Sequence, residues 1–208
     1  MRLGFDSQEA IRVLSKSDRK LGKLIEQVGP FRHERRGKVE PFQNLMQSII
    51  YQQLSGKAAS TIHGRVLALF PDNGGPTPDK LLKLPDMHLR AAGMSWAKIA
   101  SVQDLARKTL EGVVPSARKL RRMEDDEIVS RLTEVRGIGE WTVQMMLMFY
   151  LRRPDVMPAG DLGVRKGFQL TYALDDLPEP AAVIDHGEKW RPYRSVASWY
   201  MWRALELD

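Results

Sequence analysis

The chain has 208 residues, 43% hydrophobic and 28% charged, with a net charge of +6. That length supports one domain or two closely packed lobes, and the basic balance favours a polyanionic partner. It contains no cysteine, which excludes disulfides, thiolate zinc sites, cysteine-ligated iron–sulfur clusters and a cysteine nucleophile.

No apolar run approaches the roughly 20 residues of a membrane-spanning helix. The N-terminal MRLGFDSQEA lacks the apolar core of a secretion signal, so the expected location is the cytoplasm, at the nucleoid. Helical spacing then dominates. Asp6 and Glu9 predict a capping box ahead of Ala10, Ile11, Val13 and Leu14. A second helix is expected from Ser17, carrying Leu21, Leu24, Ile25 and Val28 and stopped by Gly29-Pro30. The stretch HERRGK, residues 33–38, reads as a basic solvated surface.

Pro41 suits a first helical position, and Phe42, Leu45, Met46, Ile49 and Ile50 follow at the spacing of one buried face. Gln52-Gln53-Leu54-Ser55 interrupts that pattern, and Ser55 is placed to cap the next helix, which carries Ala59, Ile62, Val66 and Phe70. Two glutamines joining two apolar helices serve either as a polar turn or as a probe pushed into the gap left by a displaced base. Thr77-Pro78 and Asp86 open short helices. Ser95 opens a longer one through Ile99, Val102, Leu105 and Ala106, with Gly112 fitting its C′ position. The run Arg118 to Arg122 is basic. With no period-two alternation and no repeat, the fold class is all-α, roughly ten short helices.

Leu132 to Phe168 carries the chemistry. An apolar segment ends at Leu132, a Gly137-Ile138-Gly139 turn follows, and a second apolar helix starts near Glu140. Gly137 and Gly139 permit backbone angles closed to other residues. A tight turn into a helix leaves its first N–H groups facing outward, where they and the helix dipole bind an anion such as a DNA phosphate. After a Pro-marked loop, Asp161 opens a third helix, as a plain N-cap or as a functional carboxylate.

The segments VRGIGEWT and PAGDLGVRKGF, with SIIYQQLSGKAASTIHGRV, GMSWAKIASVQDLA and WRPYRSVASWYMW, resemble the helix–hairpin–helix superfamily of DNA glycosylases, in its 3-methyladenine DNA glycosylase II branch. The resemblance covers nearly the whole chain. It implies a two-lobed helical fold with the active site between lobes: one lobe from residues 1–30 and 116–208, the other from 31–115. No room is expected for the β-rich N-terminal domain of some relatives. Asp161 matches the essential aspartate. Trp141 and Trp202 match walls of the base pocket, with Met145 where the better-known bacterial branch has an aromatic. Gly160 precedes Asp161 where a second acid is otherwise found. Gln53 matches the wedge residue, with Ser55 the next candidate. Gly137, Ile138, Gly139 and Thr142 match the phosphate grip. The backbone carbonyls of Thr133, Val135 and Ile138 match a site for a structural sodium or potassium ion; no other cofactor is implied.

Trp141 stands where bifunctional members carry the Schiff-base lysine, and an indole cannot form that adduct. The resemblance therefore implies a monofunctional, hydrolytic enzyme acting as a monomer on double-stranded DNA with damaged bases. Alkylated purines are the expected substrates: their positive charge is drawn to an indole face and they leave without a general acid. His33, His63, His88 and His186 lie in no motif that would supply one. Lys166 reads as a surface or phosphate lysine. Two alternatives remain at this level: excision of neutral bases such as uracil, hypoxanthine or mismatches, and DNA binding without catalysis. A pure binder gains nothing from a carboxylate facing phosphate, which favours the enzyme. Asp155 is the nearest other acid.

Overall fold

A computed structural model describes residues 4–32, 39–71 and 74–207. The basic stretch at 33–38 lies outside the described residues. Among those residues there are helices and turns, no strand, and no helix long and apolar enough to cross a membrane. The chain divides into two compact units, Met1–Arg35 with Leu147–Asp208, and Arg36–Met146.

The first unit begins with α1 (Ser7–Ser17) and α2 (Arg19–Val28). Asp6 caps α1 through the amides of Gln8 and Glu9, but Glu9 turns to Arg12 instead of closing a capping box. The second helix starts one residue later than Ser17 suggests, because Asp18 caps it. That carboxylate is 4% exposed. Its Oδ1 accepts from the amides of Lys20 and Leu21, and its Oδ2 faces the Tyr172 hydroxyl, His186 Nε2, Trp190 Nε1 and Lys189 Nζ. Burial alone would raise its pKa. The hydrogen bonds from Tyr172, Lys189, Trp190 and His186 outweigh that and hold it well below the usual carboxylate range.

The second unit runs from α3 (Pro41–Tyr51) and α4 (Gly56–Ala68) through α5 (Pro78–Lys83), α6 (Asp86–Ala91), α7 (Trp96–Leu110) and α8 (Ala117–Leu120) to α9 (Asp125–Leu132) and α10 (Glu140–Met145). The apolar faces of α3, α5 and α7 pack together through Leu45, Ile49, Leu81, Ile99, Val102 and Leu105, all essentially buried. Ser95 caps α7, and Gly112, at φ 81°, ends it as expected. From α10 the chain runs on as a π-helical segment, Met146–Leu151. It is followed by Arg152 at φ 62°.

The remainder of the first unit is α11 (Leu162–Tyr172), α12 (Pro180–Gly187), a 3-10 turn (Glu188–Trp190) and α13 (Arg194–Ala204). Val164, Phe168, Trp190, Val196, Tyr200 and Met201 form its core with Leu14 and Leu21. The division after residues 35 and 146 differs from the expected breaks near 30 and 115. The hairpin goes with residues 36–146 because α9 packs on α10 and the turn between them is tied to α7.

Candidate active site

Asp161 is the N-cap of α11. Its Oδ1 accepts from the Val164 amide at 2.8 Å and from Trp202 Nε1 at 2.8 Å. The second bond depends on how closely α11 and α13 approach. A Cβ on Gly167 would lie 1.8 Å from the Met201 carbonyl oxygen, so the two backbones meet there with no room for a side chain. One turn earlier, a Cβ on Gly163 would lie 2.8 Å from Trp202 Cδ1 and 3.1 Å from Asp161 Oδ1. These two glycines allow the indole to reach the carboxylate. The Trp202 ring is half-buried and packs on Phe149 of the π segment, centroids 5.7 Å apart. Trp202 therefore orients the aspartate through its N–H. Neither this bond nor Phe149 was readable from the sequence. The pair of glycines four residues apart within a helix was the available signal, since glycine is costly there.

Asp155 is committed elsewhere. Arg191 Nη1 reaches it at 2.6 Å and Arg194 Nε at 2.7 Å. Lys166 is exposed on α11, as a surface lysine would be.

In the other unit, Gly137 sits at φ 77°, and a Cβ there would lie 2.7 Å from Ser101 Oγ. Glycine is required on both counts. Gly139 departs from expectation: as N-cap of α10 it takes φ −95° and ψ 171°, open to any residue, with nothing within 4 Å of a Cβ. No side chain caps α10. Ile138 is buried at 3% exposure and Thr142 at 5%, so each would meet a phosphate only through its backbone amide. Glu140, at the first helical position, accepts from Gln144 Nε2 at 2.9 Å. Trp141 is 49% exposed, and Met145 is half-buried.

The glutamine turn lies in this same unit. Gln52 ends α3 at φ −54° and ψ 134°, and Gln53 follows at φ 56°. Positive φ at the second central position belongs to a type II turn, where glycine or asparagine is the usual choice. Gln53 and Ser55 are both exposed, and Ser55 Oγ caps α4 through the Ala58 amide at 3.4 Å. Gln52 Nε2 donates to the Gly137 carbonyl at 2.9 Å. Lys98 Nζ donates to the carbonyls of Ile50 and Gln52, both at 2.7 Å. Desolvation lowers the Lys98 pKa. The Arg136 amide donates to Asp104 Oδ2 at 2.8 Å.

A family model described as HhH-GPD superfamily base excision DNA repair protein matches residues 46–192. DNA-3-methyladenine glycosylase 1 of Schizosaccharomyces pombe is 36% identical to this chain over 195 residues, covering 93% of the chain and 86% of the relative. The alkylbase DNA glycosidase-like protein mag2 of the same yeast is 28% identical over 203 residues, covering 97% and 95%. Among solved structures, the S. pombe 3-methyladenine DNA glycosylase in complex with abasic DNA superposes with a TM-score of 0.84 at 36% identity, covering 94% of this chain and 95% of that one. A DNA-3-methyladenine glycosidase from Bacillus halodurans superposes with a TM-score of 0.86 at 34% identity, covering 98% and 92%.

Proposed function

The chain belongs to the HhH-GPD superfamily of base excision DNA repair proteins, and from that premise we propose that it excises alkylated purines from double-stranded DNA by hydrolysis. The 3-methyladenine and 7-methylguanine type is the substrate class. The observation that carries the mechanism is the fixed carboxylate of Asp161, held through Oδ1 by an α11 amide and the Trp202 indole N–H. Departure of the base builds positive charge on the sugar, and a carboxylate that need not reorient stabilises it as it develops. The same group orients the attacking water.

Trp141 supplies an accessible ring for a cationic base, a contact worth ~0.5–2 kcal/mol, with Met145 beside it on the helix. The hairpin amides grip phosphate without reading sequence, and Gln53 fills the stack that the extruded nucleotide leaves. The carbonyls of Thr133, Val135 and Ile138 would hold a monovalent cation. Three neutral oxygens without a carboxylate suit a single charge, and the Val135 carbonyl takes the Ile138 amide at 3.0 Å with one of its two lone pairs. When bound, that ion adds positive charge beside the phosphate grip.

The test is single-turnover base release from methylated duplexes, compared with duplexes containing uracil and hypoxanthine. Release of methylated purines, leaving an abasic site in an intact strand and no borohydride-trapped adduct, is expected. Faster release of uracil or hypoxanthine would reassign the substrate. No release of any base would leave a DNA-binding protein.

A further inference from the structure

We propose that Lys98 is a positioning residue for strand invasion: it holds the Gln52-Gln53 turn in the strained shape from which Gln53 enters the duplex. This rests on the glycosylase reading above. Gln53 has φ 56°, a region that non-glycine residues seldom occupy, and it persists only where the surroundings impose it. Those surroundings are specific. At the end of α3 the last carbonyls have no helical partner, and Lys98 Nζ gathers those of Ile50 and Gln52 at 2.7 Å each. With both carbonyls fixed, the peptide leading into Gln53 cannot rotate freely. The side chain of Gln52 ties the same turn to Gly137 at 2.9 Å.

Lys98, Ser101 and Asp104 lie three residues apart on α7 and share one face. Lys98 holds the glutamine turn. Ser101 Oγ occupies the space a Cβ of Gly137 would need, and Asp104 accepts the Arg136 amide. One helix face thus braces both the wedge and the phosphate grip. Phosphate bound at the hairpin and a glutamine presented to the base stack then become parts of one rigid unit.

Lys98→Met removes the ammonium and keeps the apolar stem. It is expected to slow base release from a fully paired duplex by roughly tenfold, as losing hydrogen bonds from a charged donor would. The loss should shrink to about twofold when the damaged nucleotide faces an abasic site, where little pairing must be broken. In a Gln53→Ala background, Lys98→Met should add nothing, since the device it serves is gone. Lys98→Arg, still able to bridge two carbonyls, should recover most of the rate.

A second readout needs no chemistry. With 2-aminopurine beside an abasic-site analogue, binding of the wild type should change the fluorescence, and Lys98→Met or Gln52→Ala should reduce that change at saturating protein. An unchanged signal in Lys98→Met, or a Lys98→Met loss as large in the Gln53→Ala background as in the wild type, would overturn the proposal. A wild type that releases no base but shows Lys98-dependent insertion would overturn the glycosylase reading and leave this one standing.

Discussion

Replacing Asp161 by asparagine and by alanine separates the cap from the catalyst. Asparagine keeps Oδ1, so both 2.8 Å hydrogen bonds, from the Val164 amide and the Trp202 indole, survive. Asparagine caps a helix about as well as aspartate. The charge assistance to those two bonds is lost, and stability should change by about 1 kcal/mol. Alanine removes the cap, at ~1 kcal/mol. It also strips the acceptor from the half-buried Trp202 N–H, at roughly 1–3 kcal/mol, for a total near 2–4 kcal/mol. Activity should not follow stability. Both variants lose the charge that the proposed mechanism sets against the developing oxocarbenium, so release of 3-methyladenine or 7-methylguanine should fall by roughly 10²-fold or more in each. DNA affinity should hold or rise, because a carboxylate no longer repels phosphate. Single-turnover release at matched protein concentration, thermal melts and a duplex-binding titration read the three quantities. An asparagine variant with near-normal rates would refute the catalytic role. Asp155 could not simply replace it, because Arg191 and Arg194 hold that carboxylate.

Gly163→Ala should lower base release by tenfold or more while costing about 1–3 kcal/mol, because its Cβ would sit 2.8 Å from Trp202 Cδ1 and push the indole off Asp161; wild-type rates would show that this bond is dispensable. Affinity for any duplex should fall with salt by about 0.9 log units per phosphate contact per log unit of salt. Gly139→Asp should weaken binding to all sequences without lowering Tm, since the position has open space and an ordinary backbone; a drop in Tm would contradict that geometry. Acid should destabilise the protein by two routes of the same sign. Asp18, whose pKa is lowered by hydrogen bonds that outweigh its burial, gives stability that is full at neutral pH and lost below about pH 4. His186, whose pKa burial lowers, resists protonation, so stability also declines below about pH 6.5. Asp18→Asn, which loses the charge and sets an amide nitrogen against donors, should cost about 3 kcal/mol at pH 7 and flatten the decline below pH 4; an unchanged thermal melt would refute the cluster's role.

Most of the helices were legible in the sequence because their signals are local. Apolar spacing along α3, the caps at Asp6, Ser55, Thr77, Ser95 and Asp161, and the Gly112 stop each act within a few residues. The hairpin and Asp161 were legible for the same reason, with their roles carried by the family resemblance. The second helix start was misplaced by one residue because Ser17 and Asp18 are both good caps, and only tertiary partners decide for Asp18. Glycine alone did not reveal conformation either: Gly137 needs its positive φ and Gly139 does not. What the tertiary structure decided are pairings across long separations, Trp202 with Asp161, Gln52 with Gly137, and Lys98 with the end of α3. Such pairs leave no periodic trace, because each depends on how closely helices pack, and that is set by the volumes of many side chains at once.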